Sequence, residues 1–436
     1  MLPPPDRFVD WFRSAAPYIH AFRGRTFVVA FGGEVVADGK FVALTHDLNL
    51  LASLGVRLVL VHGTRPQIEA QRPAEATQFV RGVRVTDEAT LQQAKQAAGR
   101  LRVEIEALLS MGLPHSPMAN ADIRVAGGNF VTAQPRGIVD GVDMLYAGEV
   151  RKVHAEAIRT RLGAGDLVLL SPLGYSPTGE IFNLTMEDVA AEAAIALRAD
   201  KLLFLTDQPG VTDADGTLLR ELTVSEAEAR LQAATDLQQD TRLHLPAAIK
   251  ASRAGVSRVH LLSRHVDGAL LLELFTHDGI GTMVARDPLE QSRQACIDDV
   301  GGVLQLIEPL EADGTLVKRS RELLEREIER FSLLEHDGLI VGCAALYPFD
   351  SDRAAELACL AVHPDYRNAG AGDRLLRTVE ARARAIGVTR LFVLTTRAAH
   401  WFIERGFAPA HVDALPQQKQ QLYNYQRRSQ VLIKPL

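Results

Sequence analysis

The 436-residue sequence predicts an α/β protein in two parts, an αβα sandwich followed by an α+β domain. Short apolar runs alternate with longer amphipathic stretches from Phe27 to about Arg286, the pattern of a mainly parallel sheet flanked by helices. Around Arg286–Ser292 that pattern stops, and strand pairs with one glycine-containing strand-to-helix turn follow. Length agrees, since roughly 150 residues per domain gives about two or three domains. The expected divisions are a helical arm over 1–24, the sandwich over 25–286, a linker over 287–292 and the second domain over 293–436.

Within the first part, Phe8–Phe22 is an amphipathic helix candidate interrupted by Pro17. Phe27–Phe31, Arg57–Val61, Leu167–Leu170, Lys201–Leu205 and Arg258–Leu262 are the clearest strands. Asp87–Met111 carries Leu91, Ala94, Ala98, Leu101, Ile105 and Leu108 at helical spacing, and Gly112 and Pro114 stop it. Glycines punctuate a hairpin at Gly137–Val150. The second part begins with helical stretches at Ile297–Leu310 and Ser320–Arg330, the latter strongly charged. Strands at Phe331–Glu335 and Leu339–Tyr347 follow, joined by an Asp-Gly hairpin signal at Asp337-Gly338. A strand at Ala355–Val362, a helix at Asp373–Ile386, a strand at Arg390–Thr395 and a short helix at His400–Glu404 complete the pattern.

Hydrophobic residues make up 47% and charged residues 23% of the chain, enough apolar surface for full cores and too much for a disordered polymer. A net charge of -6 provides no chain-wide basic field, so nucleic acid is not an expected partner. Cys296, Cys343 and Cys359 are too few and scattered for a disulfide framework or a four-ligand zinc site, so no metal is expected and a reducing, cytoplasmic setting is. Gly338–Phe349, the longest charge-free strand-like stretch, is too short to span a bilayer, which takes roughly 20 residues. Met1–Asp6 holds prolines and an acid where a signal peptide would carry cations and an apolar run.

The chemistry concentrates after Ala355–Val362. His363-Pro-Asp-Tyr-Arg367-Asn368-Ala369-Gly370-Ala371-Gly372-Asp373 leads straight into a helix. A strand, an Arg-x-x-Gly-x-Gly turn and a helix start form a phosphate cradle, because glycines admit close approach and the first helical amides lack intrahelical partners. A plain strand-to-helix turn would show the same glycines. Glu356, on the strand entering this loop, is a candidate general base, directly or through a water. The plain reading of Glu356 is a solvated strand-end acid. Thr395, ending the next strand, is placed to hydrogen-bond substrate or thiol. Arg319 before the helix capped by Ser320, and Arg427 and Arg428 in an acid-free tail, are two separated guanidinium sources that suit a dicarboxylate. A solvated basic tail is the plainer alternative.

With Val362-x-Pro364, Thr395-Thr396 and Phe402-x-Glu-x-Gly406-Phe407 in order, the second part resembles the GNAT acetyltransferases. That resemblance implies an acetyl-CoA site at Leu360, Val362, Arg367, Asn368, Ala369, Gly370, Ala371, Gly372 and Asp373, with loop amides on the pyrophosphate. The first part resembles the amino-acid kinase fold through Thr26-Phe-Val-Val-Ala-Phe-Gly32-Gly33-Glu, Leu58-Val-Leu-Val-His62-Gly63, Asn183-Leu-Thr-Met-Glu187 and Asp200-Lys-Leu-Leu-Phe-Leu-Thr-Asp207. The positions matching that fold's catalytic lysines hold Ala30 and His244, so phosphoryl transfer, which needs cations on the developing charge, is not expected. A lysine-stripped kinase domain joined to an acetyltransferase domain resembles the bacterial N-acetylglutamate synthase family along essentially the whole chain. The resemblance implies acetyl transfer from acetyl-CoA to L-glutamate, with Arg319 and Arg427 or Arg428 holding the substrate and no acyl-enzyme. It also implies a hexameric assembly and inhibition by L-arginine at Tyr18, Glu273, Gly279 and Gly281, with Asp278 nearby. Cys359, three residues beyond Glu356, is expected on the opposite strand face. The alternatives are an acetylglutamate kinase-like enzyme and a non-catalytic arginine sensor.

Overall fold

The computed structural model describes residues 5–71, 78–233, 237–276, 279–288, 290–336, 339–425 and 427–436, with backbone alone at 5–8, 10, 11, 14, 365, 368 and 369. It divides into two compact units, Met1–Asp287 and Pro288–Leu436.

The first unit is built on an eight-stranded sheet in the order Glu221–Thr223, Thr282–Ala285, Arg258–Ser263, Lys201–Thr206, Thr26–Phe31, Arg57–His62, Leu167–Leu170 and Val125–Gly127. Pairing is parallel except between Arg258–Ser263 and Thr282–Ala285. The central strands read as unbroken apolar runs because both faces are covered. Val28, Ala30, Val59, Val61 and Phe204 face a core that includes Val189 and Ala190 of the helix Met186–Leu197 and Leu245 and Ala248 of Gln239–Arg253. Phe27, Val29, Phe31, Leu58 and Leu60 face the other, with Phe41, Leu48, Ile105, Leu270 and Phe275. The amino-terminal helix runs Pro5–Phe22 and continues through Pro17. It is not a free arm at its carboxy end, since Ala15 is buried and the Phe22 ring lies 5.6 Å from Phe275. Phe12 and Val9, about one and two turns before Ala15, are exposed.

The second unit holds a seven-stranded sheet in the order Glu290–Gln294, Phe331–His336, Leu339–Phe349, Ala354–Val362, Arg390–Thr395, Gln430–Pro435 and Ala408–Ala410. Half of the expected linker 287–292, residues 290–292, belongs to this edge strand. Glu290–Gln294 pairs antiparallel with Phe331–His336, and its polar side chains are half-buried or exposed, which left no apolar signature to read. The helix Ala371–Ala385 covers one sheet face through Leu375, Leu376 and Val379. Val300–Ala312 and Arg321–Glu327 cover the other, and Ser320 caps the latter by accepting from Leu323 N. The expected Asp337-Gly338 turn lies outside the described residues.

Two irregularities shape the middle of this sheet. Ala354–Val362 pairs in parallel with Arg390–Thr395 only from Ala354 to Glu356, after which the two strands part. On the opposite edge, register with Leu339–Phe349 slips between Cys343 and Ala345, and Cys359 has a left-handed φ of 52°. One residue is inserted there as a bulge. The insertion corrects the expected facing of Cys359. Alternation is broken between residues 356 and 359, so Cys359 packs with Val303, Ile307 and Cys343 on the face that carries Glu356, while Ala355 and Leu357 turn to the other core.

Candidate active site

Where the strands part, a cleft of about 1330 Å3 opens, lined among others by Arg319, Tyr347, Glu356, Cys359, Leu360, Val362, Arg367, Gly370, Gly372, Asp373, Thr395, Trp401, Arg405, Lys419 and Arg427. Residues from the loop after the first helix, three strands, the glycine loop and the carboxy-terminal segment therefore converge.

Glu356 is not a solvated strand-end acid. Opposite Tyr347 in register, it is 8% exposed, and its Oε2 receives the Lys419 ammonium at 2.6 Å. Tyr347 donates its hydroxyl to Glu327 at 2.9 Å, and burial, helped by that carboxylate, pushes the phenol up to about 12. The Arg330 guanidinium lies 4.8 Å from the Tyr347 ring centre. Arg319 is held by Val317 O at 2.9 Å; burial disfavours its charge, but the neighbouring Cys359 and Tyr347 outweigh this and raise its pKa. The Cys343 thiol hydrogen bond, followed by the Arg319 charge, lowers the Cys359 thiol against burial. Arg427 reaches Thr315 O at 2.6 Å and Gly314 O at 3.3 Å, while Arg428 is exposed and outside the cleft lining. The two tail arginines thus separate, one facing the cleft and one facing away. Thr395 lines the cleft, but its Oγ1 also accepts from Ala398 N at 3.0 Å, closing the turn after its strand.

The glycine loop is split between two jobs. Pro364–Ala369 forms a 3-10 turn, and Gly370, with φ of 75°, ends it and starts the helix Ala371–Ala385. A side chain would be strained at Gly370. Gly372 is demanded by packing instead, since a Cβ there would come within 2.9 Å of the Trp401 ring. Ala371 is fully buried. Arg367 Nε donates to Val362 O at 3.3 Å, and Leu360 and Val362 are half-buried on the cleft wall. Of Asn368 and Ala369 only the backbone is described. Asp373 is committed to Arg405, whose guanidinium holds the carboxyl below its ordinary range and lies 4.0 Å from the Trp401 ring centre.

Seven cations and three carboxylates line the cleft. Asp313 pairs with Arg397, Asp373 with Arg405 and Glu356 with Lys419, leaving Arg319, Arg330, Arg367 and Arg427 without an ion pair among the described residues. A cationic cleft with one buried carboxylate at its strand junction fits an acyl donor carrying phosphates and a small dianionic acceptor. Lys419, Tyr347, Trp401 and Arg405 escaped the sequence reading; Lys419 was visible only as one cation of a basic tail. No cluster of three or more metal-ligating side chains occurs among the described residues.

In the first unit, the glycine turns line a smaller cavity of about 110 Å3, into which the chain's own side chains reach. The Glu34 carboxylate sits where a Cβ on Gly32 would point, and Gln67 Nε2 donates to Gly33 O at 2.8 Å. Burial raises the Glu34 pKa. His62 is fully buried against Ser171 Oγ at 2.8 Å, and burial depresses its pKa to about 4, so it supplies no cation at neutral pH. Ala30 is buried in the sheet, and His244 lies between Asp240 and Glu187.

Glu273 is likewise buried. It meets His260 Nδ1 at 2.6 Å and accepts from Ile280 N at 2.7 Å and Gly281 N at 3.0 Å. Burial opposes ionisation, but the His260 contact and these amides prevail and hold the carboxyl at about 2. Gly279, with φ of 56°, gives its carbonyl to Arg220 at 2.9 Å, and Gly281 lies too close to Leu261 O for any side chain. Tyr18 packs on the same core as Leu270 and Leu274, its ring 6.2 Å from Phe22. Asp278 lies outside the described residues. No helix among the described residues is long and apolar enough to cross a membrane.

The amino acid kinase family model matches residues 25–263 and the acetyltransferase (GNAT) family model residues 303–407. The amino-acid acetyltransferase of Ralstonia nicotianae is 56% identical over 436 residues, covering 100% of this chain and 96% of its own. That of Azotobacter vinelandii is 56% identical over 432 residues, covering 98% and 99%. Among solved structures, N-acetylglutamate synthase from Neisseria gonorrhoeae complexed with coenzyme A and L-arginine is 42% identical and superposes with a TM-score of 0.90 over 98% of this chain and 99% of that one. The same enzyme with coenzyme A and N-acetyl-glutamate gives 0.64 over the same shares. With both family models matched in order and relatives aligned end to end, the chain belongs to the amino-acid acetyltransferases.

Proposed function

We propose that this acetyltransferase is an N-acetylglutamate synthase, passing the acetyl group of acetyl-CoA to the α-amino group of L-glutamate in the cytoplasm, with Glu356 as base. The buried Glu356 at the point where the strands part carries the reading. Beyond Glu356 the strand edge toward Arg390–Thr395 has no ladder partner among the described residues and lines the cleft, leaving backbone groups for the donor's arm and thioester. Amides of the Gly370–Asp373 helix start, with Arg367, suit the pyrophosphate. Arg319 and Arg427 suit a dicarboxylate acceptor.

Chemically, Glu356 takes one proton from the acceptor ammonium. The amine attacks the thioester carbonyl, a C–N bond forms, and the tetrahedral adduct expels the thiolate as the C–S bond breaks. The second amine proton leaves with the sulfur, giving coenzyme A and the amide. Thr395 is within the cleft to hydrogen-bond that sulfur. Cys359, though it shares the Glu356 face, is confined to a left-handed bulge against Cys343 and is not needed in direct transfer.

Thiol release on mixing acetyl-CoA with L-glutamate tests the assignment; release independent of glutamate, or none, refutes it. Arginine regulation is proposed for the Tyr18, Glu273, Gly279 and Gly281 region, and oligomerisation for the exposed Val9 and Phe12 end of the amino-terminal helix. The kinase-like alternative loses ground to Glu34, which places a carboxylate on the glycine turn where a kinase would seat phosphate.

A further inference from the structure

Lys419 sits on the short helix Gln417–Gln421, which Gln420 Nε2 ties down through Leu415 O at 2.7 Å and Asp413 O at 3.0 Å. Its ammonium contacts Glu356 at 2.6 Å, with 21% and 11% of the two side chains exposed. The other cleft cations nearest the acceptor region, Arg319 and Arg427, donate to backbone carbonyls. Lys419 is thus the cation committed to the base, in the position the acceptor ammonium must take for Glu356 to remove its proton.

An incoming amine that simply displaced Lys419 would leave a partly desolvated ammonium without a partner, a costly state. An α-amino acid avoids this. Its carboxylate is attached to the carbon bearing the amine, so when the amine reaches Glu356 the carboxylate lies within reach of an ammonium that was 2.6 Å from that same oxygen. One ion pair becomes two. On the reading that glutamate is the acceptor, we infer that Lys419 is a specificity residue that masks Glu356 in the free enzyme and releases it by moving onto the acceptor α-carboxylate. Discrimination is then divided. Lys419 reads the α-carboxylate, while the cleft guanidiniums read the side-chain carboxylate.

The test compares kcat/KM for L-glutamate, its α-amide and its side-chain amide (glutamine) in the wild type, Lys419→Met, Lys419→Gln and Lys419→Arg. A charge-assisted contact is worth roughly 10- to 100-fold in kcat/KM. Lys419→Met and Lys419→Gln should lower the glutamate to α-amide ratio by about that factor, mostly through KM for glutamate, and leave the glutamate to glutamine ratio unchanged. Lys419→Arg should restore much of the first ratio. Coenzyme A affinity measured on each variant separates a lost fold from a lost contact, and either neutral variant suffices if the other is unstable. If the wild type does not acetylate glutamate, the functional reading falls. If it does, and both neutral variants keep the wild-type preference for glutamate over the α-amide, the role of Lys419 falls alone.

Discussion

Glu356→Gln isolates the proton-transfer step. The amide matches the carboxylate in size and keeps an oxygen for Lys419, so a side chain only 11% exposed loses its basicity without leaving a cavity. A positioned general base is worth roughly 100- to 10,000-fold, or about 3–5 kcal/mol in the barrier. The expected result is a fall in kcat within that range at saturating acetyl-CoA and glutamate, followed by continuous thiol detection at pH 7.5–8.5. Coenzyme A affinity should stay within about twofold, because Glu356 touches neither the Gly370 helix start nor Arg367. The residual rate should climb with pH as free amine replaces ammonium, since the substrate would then arrive already deprotonated. A kcat within threefold of wild type at pH 8, with normal coenzyme A binding, would refute the assignment of Glu356 as base and move proton removal to water or another group.

Arg319→Lys and Arg427→Lys each keep a charge but lose the planar fork; each should raise KM for glutamate about 10-fold or more with little change in KM for acetyl-CoA, whereas Arg428→Lys, outside the cleft, should change neither. Gly370→Ala places a side chain at φ of 75°, costs on the order of 1 kcal/mol and should raise KM for acetyl-CoA, as read by initial rates and thermal melting. For Glu273, the folded carboxyl lies at about 2 against an ordinary 4.5, so its stabilisation of the first unit, roughly 3 kcal/mol, is complete above the unfolded value and drains away as pH falls toward 2. Glu273→Gln should therefore flatten acid unfolding followed by circular dichroism between about pH 5 and pH 2, and should weaken arginine inhibition measured at neutral pH. An unchanged acid limb would show that Glu273 is not held down by His260 and the Ile280 and Gly281 amides.

Strands buried on both faces were easy to read, because Phe27–Phe31 and Leu167–Leu170 are apolar at every position and Lys201–Leu205 at all but the first. The helix Ala371–Ala385 and the Ser320 cap were legible from local spacing. Residues 290–292 of the edge strand Glu290–Gln294 fell in the expected linker because an exposed strand is defined by its hydrogen-bonding neighbour. Facing of Cys359 failed for a related reason. Alternation along a strand holds only while register is kept, and the bulge shifts it by one residue. Gly372 was placed in the phosphate loop by its spacing, yet the space it vacates belongs to Trp401, which comes from a later helix.

By itself the sequence determined the two-part organisation, the glycine turn before a helix and the carboxylate on the strand entering it, since each is a matter of residue type at short spacing; Ala30 and His244 in place of kinase lysines came through the family resemblance. Only the tertiary structure decided which charges meet. Lys419 reaches Glu356, Arg427 lines the cleft while Arg428 does not, the Glu34 carboxylate lies against the Gly32 turn and His260 with two amides claims Glu273. Ion pairs form between side chains far apart along the chain, and their strength depends on distance and desolvation, neither of which a linear pattern encodes.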